Sequence, residues 1–344
     1  MEHDPPSLLL SVQVEPVVTY VEVHTDQDGS LLVSWSLAAG PAAVDVATGP
    51  TPDHLDHRHE STVPAGETRL RLAGSRDGRT FVSVSPRGGG SAVVAADRRI
   101  GFQGATNFRD LGGYRTRSNG RIRWGQIFRA DALHALSKQD LVLYERLGLH
   151  SVFDLRGEQE RDERPNQVDS MLVTIVGRAP GTTPAPPPGG MSTADGERFL
   201  GDLYVGLLQH ASEPIGRIFR ALAAAEALPA VFHCHAGKDR TGIVAALLLE
   251  ALDVDRDTIL DDYELTSRYR QRIHQTESYE RLLASGLAPE AAAGVLTTPR
   301  WAMQSALETL DEIHGGIEGW LMGPAGLDQE EVVALRQRLV DPAP

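Results

Sequence analysis

A single cysteine, Cys234, stands in a chain of 344 residues. That scarcity excludes an internal disulfide framework and every zinc or iron–sulfur centre that needs several thiolates. Basic residues are also in deficit, with 33 Lys and Arg against 47 Asp and Glu and a formal net charge of −14. Non-specific binding to nucleic acid or to an anionic membrane depends on a basic face, so neither is expected. Long apolar runs are missing too. The most apolar stretch, Gly242 to Val254, is interrupted by Glu250 and Asp253 and reads as a buried helix, not a membrane span. The first residues lack the basic start and long apolar run of a signal peptide. With a lone cysteine this gives a cytoplasmic expectation, and a signal-independent route of export stays open. Internal repeats are absent. What remains is an ordinary soluble composition, 41% hydrophobic and 23% charged. The length exceeds one average domain, and the pattern divides at about residue 97, giving expected domains 1–97 and 98–344.

The first part alternates short apolar stretches with turn residues, the pattern of a small all-β sandwich. Strands are expected at Val17–Val23, Leu31–Leu37, Ala43–Ala47, Arg69–Leu72, Thr80–Ser85 and Ala92–Ala95. Asp28-Gly29, Gly49-Pro50, Asp77-Gly78 and Pro86-Arg87-Gly88-Gly89-Gly90 supply turn chemistry between them. The stretch Ser30–Ser36 around Trp35, with Thr68–Leu72 and Phe81–Val84 further on, resembles a fibronectin type III module with a core tryptophan.

After Arg98 helical and strand-like segments alternate, which predicts an α/β domain with a central, mostly parallel sheet flanked by helices. Leu136–Leu147, Phe199–His210 and Glu213–Ala227 read as helices, and Ser151–Leu155, Met171–Val176 and Ala230–His233 as strands. Arg178–Gly196 is a Pro/Gly-rich loop. Everything beyond Gly242 reads as helix, broken at Gly286, Pro289, Pro299 and Gly315-Gly316.

The chemistry concentrates in His233-Cys234-His235-Ala236-Gly237-Lys238-Asp239-Arg240-Thr241-Gly242. A strand running through a short Gly-containing loop into an apolar helix builds an anion site, because loop amides and the helix N-terminus both present N–H groups. Arg240, six positions after Cys234, can fork two hydrogen bonds onto phosphate oxygens, which a lysine cannot do. The cysteine then sits beneath the phosphorus. A free thiol titrates at about 8.5 and is a poor nucleophile until its thiolate is stabilised. A helix terminus supplies only about 1 kcal/mol, so converging amides, Arg240 and the Thr241 hydroxyl are expected to supply the rest. Cys234 could instead be an inert core cysteine, but the glycines and arginine around it at this spacing argue otherwise. His233 and His235 flanking a cysteine do not make a protease pair, because neighbours on a tight loop cannot both aim at one atom.

This loop resembles the signature of the protein tyrosine phosphatase superfamily. Its Gly237-Lys238-Asp239-Arg240-Thr241-Gly242 variant is similar to an atypical, largely microbial branch that acts on phosphotyrosine and phosphoinositides. Thr106–Tyr114 and Phe153-Asp154-Leu155-Arg156 fit the same branch, and the resemblance covers about residues 98–340. It implies a two-step displacement through a Cys234 thiophosphate, with residues 235–240 (His235, Ala236, Gly237, Lys238, Asp239 and Arg240) binding the phosphate and no metal or cofactor. The Trp-Pro-Asp motif that carries the general acid in the larger family is missing. Asp239 is the expected substitute, followed by Asp154 and then Asp131. Lys238 is expected to add a second cation suited to substrates with several phosphates. His233 should orient the loop, Asp154 and Arg156 should brace it by an ion pair, and Asn107–Tyr114 should form a turn beneath it. The acidic-basic run Arg156–Arg164 reads as a solvated helix face, and Glu264–Pro299 as a lid. The expected substrate is a phosphotyrosine protein. A phosphoinositide phosphatase and a phosphate-binding adaptor without turnover are the alternatives, and the sequence names no partner for the N-terminal module.

Overall fold

The computed structural model describes residues 16–342 apart from Gln27, 76–78, 176–191 and Gln271. The chain divides into two compact units, residues 1–98 and 99–344.

The first unit holds seven strands: β1 (Val17–Thr25), β2 (Ser30–Ala38), β3 (Val44–Thr51), β4 (His54–Val63), β5 (Arg69–Ala73), β6 (Phe81–Pro86) and β7 (Val93–Ala96). They form two antiparallel sheets of order β1-β2-β5 and β4-β3-β6-β7. Period-2 alternation explains the burial: Leu31, Val33 and Trp35 of β2 all turn to one face and are buried. The β1–β2 turn is set by Asp28, whose Oδ1 accepts from the Ser30 N–H at 2.9 Å, and by Gly29 at φ +81°. Strand β4 was not expected from sequence, because His54-Leu55-Asp56-His57 carries almost no apolar alternation. It is an edge strand, held by its ladder to β3, and an edge tolerates polar residues. The Asp77-Gly78 turn lies outside the described residues.

In the second unit the strands are β8 (Arg109–Asp110), β9 (Arg121–Ile122), β10 (Ile127–Ala130), β11 (Ser151–Asp154), β12 (Met171–Leu172), β13 (Ala230–His233) and β14 (Val340–Asp341). Its helices are α1 (Lys138–Arg146), α2 (Glu158–Glu163), α3 (Thr193–His210), α4 (Ser212–Ala223), α5 (Asp239–Ala251), α6 (Arg256–Tyr269), α7 (Arg272–Ala284), α8 (Pro289–Val295), α9 (Arg300–His314), α10 (Ile317–Met322) and α11 (Gln329–Leu339). The sheet order is β12-β11-β13-β10-β8, parallel throughout except for antiparallel β8. Strand β9 pairs with β14. Strands β11 and β13 are buried on both faces, as parallel central strands are. Val152 and Val231 join one apolar cluster, with Phe108 and Phe128, while Phe153 and Phe232 join the other, with Phe219, Leu247 and Trp320. Helix α5 is buried from Thr241 to Ala251, so the strand–loop–helix segment runs through the centre of the unit.

Several boundaries differ from the sequence expectation. The helix expected from Phe199 starts at Thr193, because Ser192 and Asp195 form a capping box. Residues 178–191 of the expected Pro/Gly-rich loop lie outside the described residues. The strand from Met171 spans two residues only, and the helix expected to reach Ala227 ends at Ala223 before a short 3-10 turn. No described helix is long and apolar enough to cross a membrane.

Candidate active site

Cys234 follows the last residue of β13 and is buried, and Asp239 opens α5. Between them the loop is held by its carbonyl oxygens. The Ala132 N–H donates to His235 O at 3.1 Å. Asn107 Nδ2 donates to Ala236 O at 3.2 Å and to Gly237 O at 3.0 Å, and Arg129 Nη2 to Gly237 O at 2.9 Å. In a trans peptide the C=O and the following N–H point opposite ways. Tying down the carbonyls of His235, Ala236 and Gly237 therefore turns the N–H groups of Ala236, Gly237 and Lys238 to the other side, as an anion cradle requires. Gly237 makes the bend possible. It sits at φ +64°, and a Cβ there would lie 2.5 Å from Ala130 O and 2.7 Å from Asp131 N.

The cradle is backed by a buried ionic network. Asp262 of α6 accepts from Arg129 Nη1 at 2.6 Å and from Arg109 Nε at 3.0 Å, and Arg109 also donates to Asn107 Oδ1. The Tyr114 hydroxyl adds a bond to Asp262 Oδ1 at 3.0 Å. Burial and the adjacent Arg109 bring Arg129 down to about 10, which leaves it cationic at neutral pH. The stretch Asn107–Tyr114 is thus more than a turn beneath the site: Asn107 grips the loop itself.

Arg240, in the first turn of α5, is gripped end-on by Glu160 of α2, with Nη1 to Oε2 at 2.6 Å and Nη2 to Oε1 at 2.7 Å, while Nη1 also reaches Leu155 O at 3.4 Å. Burial opposes the charge of Arg240, but the bond to Glu160 and the nearby Cys234 raise it above the ordinary arginine range. Burial would likewise raise Glu160, yet Arg240 takes its carboxyl down to about 2. A guanidinium has five N–H groups. With these three used, Nε–H and the second Nη2–H, which share one edge, remain to fork onto an oxyanion. The run Arg156–Arg164 is consequently not just a solvated face, since Glu160 belongs to the site.

Lys238 departs from expectation. Its ammonium is buried and donates to Val295 O at 2.8 Å, Thr297 O at 3.0 Å and Asp239 Oδ1 at 2.9 Å. Three protons meet three acceptors, so Lys238 is no spare cation for a second phosphate; it ties the loop to the α8–α9 connection. Asp239 Oδ1 also accepts from the Tyr204 hydroxyl at 2.8 Å. Burial would raise the Asp239 carboxyl, but Lys238 and Tyr204 outweigh it and hold it below the usual range.

His233 is sealed from water and burial pushes it down to about 4, so it is neutral. Its Nδ1 lies 3.1 Å from Cys234 O and its Nε2 3.0 Å from Asn166 Nδ2. A carbonyl only accepts and the amide nitrogen only donates, which fixes the proton on Nδ1. Asp154 accepts from Arg156 through Nε at 2.9 Å and Nη2 at 2.7 Å, and from Asn166 Nδ2 at 3.1 Å. Both members of that pair are buried. Burial raises Asp154 and Arg156 lowers it, with the net direction down. Both Asp154 oxygens are thus engaged as acceptors. Asp131 is held in a similar way, its two oxygens accepting the Thr106 and Asn107 amides, both at 3.1 Å. His235 contributes its carbonyl as described, while its Nε2 meets Arg281 Nη1 at 3.3 Å, and burial with Arg281 brings it down to about 4. Thr241 Oγ1 is buried with no hydrogen-bond partner among the described residues, so the expected hydroxyl bond to the thiol is not made here.

The structure adds Glu160, Asn166, Arg129, Asp262, Tyr204 and Tyr263 to the residues picked from sequence, together with Arg270, which caps α6. Burial lowers Arg270, while the charges of Asp131, Asp239 and Cys234 oppose that. Only Glu160 carried a local signal, as the acidic residue three positions after the helix N-cap Gly157, whose N–H its Oε2 accepts at 2.9 Å. Among the described residues no group of three His, Cys, Asp or Glu side chains is placed to hold a metal.

Comparison with known proteins agrees with this geometry. Residues 100–341 match the tyrosine phosphatase family. The triple specificity protein phosphatase PtpB of Mycobacterium tuberculosis is 30% identical over 273 residues, covering 68% of this chain and 96% of that one. A putative tyrosine-protein phosphatase of Cupriavidus necator is 27% identical over 260 residues, covering 72% and 91%. A tyrosine-protein phosphatase of Nostoc commune is 33% identical over 147 residues, covering 41% and 49%. A family match that spans residues 100–341, with a relative 30% identical across nearly its whole length, shows that the chain belongs to the tyrosine phosphatase family.

Proposed function

We propose that the protein hydrolyses phosphotyrosine in proteins through a Cys234 thiophosphate. The observation that carries this reading is the loop itself, whose His235, Ala236 and Gly237 carbonyls are tied down by Ala132, Asn107 and Arg129, which turns the amides that follow them to the opposite side. Cys234 Sγ attacks phosphorus while the amides and the free edge of Arg240 take the charge on the equatorial oxygens. Asp239 gives a proton to the leaving oxygen. It rests as a carboxylate; the arriving phosphate dianion raises its proton affinity by like-charge repulsion, and it takes up from water the proton that it then passes on. Water then displaces the thiolate from phosphorus.

Lys238 bears on the substrate class. A phosphoinositide reading asks for a second free cation beside Arg240, and the Lys238 protons are all engaged. That favours a substrate with one phosphate. An adaptor without turnover would need neither the nucleophile nor the acid. For the first unit, two sheets of order β1-β2-β5 and β4-β3-β6-β7 support a fibronectin type III-like module with Trp35 in its core.

The deciding experiment is phosphate release from matched phosphotyrosine, phosphoserine and phosphoinositide substrates by wild type, Cys234→Ser and Asp239→Asn. Turnover of phosphotyrosine by wild type, with binding but no turnover by Cys234→Ser, is the expected result. Binding of all three without turnover by the wild type would instead leave an adaptor.

A further inference from the structure

Two buried phenols meet the loop and have no part in the scheme above. Tyr204 on α3 and Tyr263 on α6 are sealed from water, with rings edge to face and centroids 5.9 Å apart. Their hydroxyl oxygens are 2.6 Å apart, and that of Tyr204 lies 2.8 Å from Asp239 Oδ1. A carboxylate only accepts, so Tyr204 donates to Asp239, and its oxygen is left to accept from Tyr263. Burial first, and then the charge of Asp239, pushes Tyr204 well above the ordinary phenol range, so this donor keeps its proton at any working pH. Two phenylalanines would fill the same space without burying a hydroxyl, which is costly unless the hydroxyl is used.

We propose that Tyr204 and Tyr263 are positioning residues for the acid: their hydroxyl chain reserves Asp239 Oδ1 as an acceptor, leaves Oδ2 to carry the proton, and stabilises the carboxylate that forms as the proton leaves. The proposal rests on Asp239 being the general acid. Oδ1 accepts from both Tyr204 and Lys238, whereas Oδ2 receives no donor among the described residues. In the first step the S–P bond forms, the P–O bond breaks, and the Oδ2 proton passes to the leaving oxygen. The Tyr204 bond to Oδ1 becomes charge-assisted as that happens and is stronger in the transition state than before it. In the second step water gives a proton back to Oδ2 while its oxygen displaces Sγ from phosphorus. The tyrosines keep their own protons throughout.

The test is kcat against pH for a series of aryl phosphates whose leaving phenols differ in acidity, with the full-length Tyr204→Phe, Tyr263→Phe and Asp239→Asn variants. Tyr204→Phe should lower kcat on the order of tenfold for the least acidic phenol and far less for the most acidic, the loss of one hydrogen bond to a charged group. It should also move the alkaline limb of kcat up by about one pH unit, because the acid then holds its proton more tightly. Tyr263→Phe should act in the same direction and less. Wild-type limbs and leaving-group dependence in both tyrosine variants, with the limb abolished in Asp239→Asn, would overturn the proposal and leave Asp239 as the acid. An unchanged limb in Asp239→Asn would remove both. Should Tyr204→Phe fail to fold, the Tyr263→Phe profile decides.

Discussion

Glu160 holds Arg240 by both Nη atoms, so the arginine is aimed before any substrate arrives. A misaligned catalytic group costs rate steeply. Glu160→Gln, which keeps the shape and loses the charge, is expected to lower kcat/KM by roughly 10- to 100-fold with little change in melting temperature; unchanged steady-state kinetics would contradict this role. His233 shows a different residue-scale effect, on stability. Its folded-state value is pushed down to about 4 from an ordinary 6.5. Between those limits the unfolded chain binds a proton that the folded chain does not, so stability rises with pH. The contribution is complete above pH 6.5 and is lost as pH falls toward 4, about 3 kcal/mol in all. Urea melts at pH 4.5 and pH 7 should show a smaller pH difference in His233→Gln than in wild type. Equal differences would mean that His233 is not held neutral.

At the scale of elements, α3 and α8 touch backbone to backbone. A Cβ on Gly196 would lie 2.2 Å from Ala291 O, and one on Gly294 would lie 2.1 Å from Thr193 O. Helix α8 ends at Val295, whose carbonyl accepts a hydrogen bond from Lys238 Nζ, so the spacing of two helices sets the position of a loop residue. Gly294→Val must push the helices apart. It is expected to cost about 1–3 kcal/mol, as overpacking does, and to lower kcat together with stability through Lys238. A stable Gly294→Val protein with full kcat would disconnect α8 from the loop. These links could not be read in advance: Gly294 in Ala292-Ala293-Gly294-Val295 looks like any helical glycine until Thr193 is seen opposite it. Helix α4 was legible, by contrast, because Ile215, Ile218, Phe219 and Leu222 recur at helical spacing, and all four are buried.

For the molecule as a whole, each unit encloses its own apolar core, Val33, Trp35, Val46 and Val84 in the first, and the clusters around Phe219 and Phe128 in the second. Separate cores predict separate melting. Calorimetry of the full chain should resolve two transitions, and residues 99–344 expressed alone should melt within a few degrees of the second one. Failure of that fragment to fold would show that the first unit is needed to complete it.

Sequence alone determined the reactive loop and the order of strand, loop and helix around it, because Cys234, Gly237 and Arg240 lie within one short stretch and their spacing is local chemistry. It also determined most strands of the first unit, where alternation reports a half-buried sheet directly. The tertiary structure decided the rest of the site. Glu160, Asn107, Arg129, Asp262 and Tyr204 come from separate elements, and no periodicity in a chain marks an arginine such as Arg129 for burial beneath a glycine carbonyl more than a hundred residues away. The same physics reassigned Lys238. Read along the chain it is a cation beside Arg240, and only folding brings the carbonyls of Val295 and Thr297 within reach of its three protons.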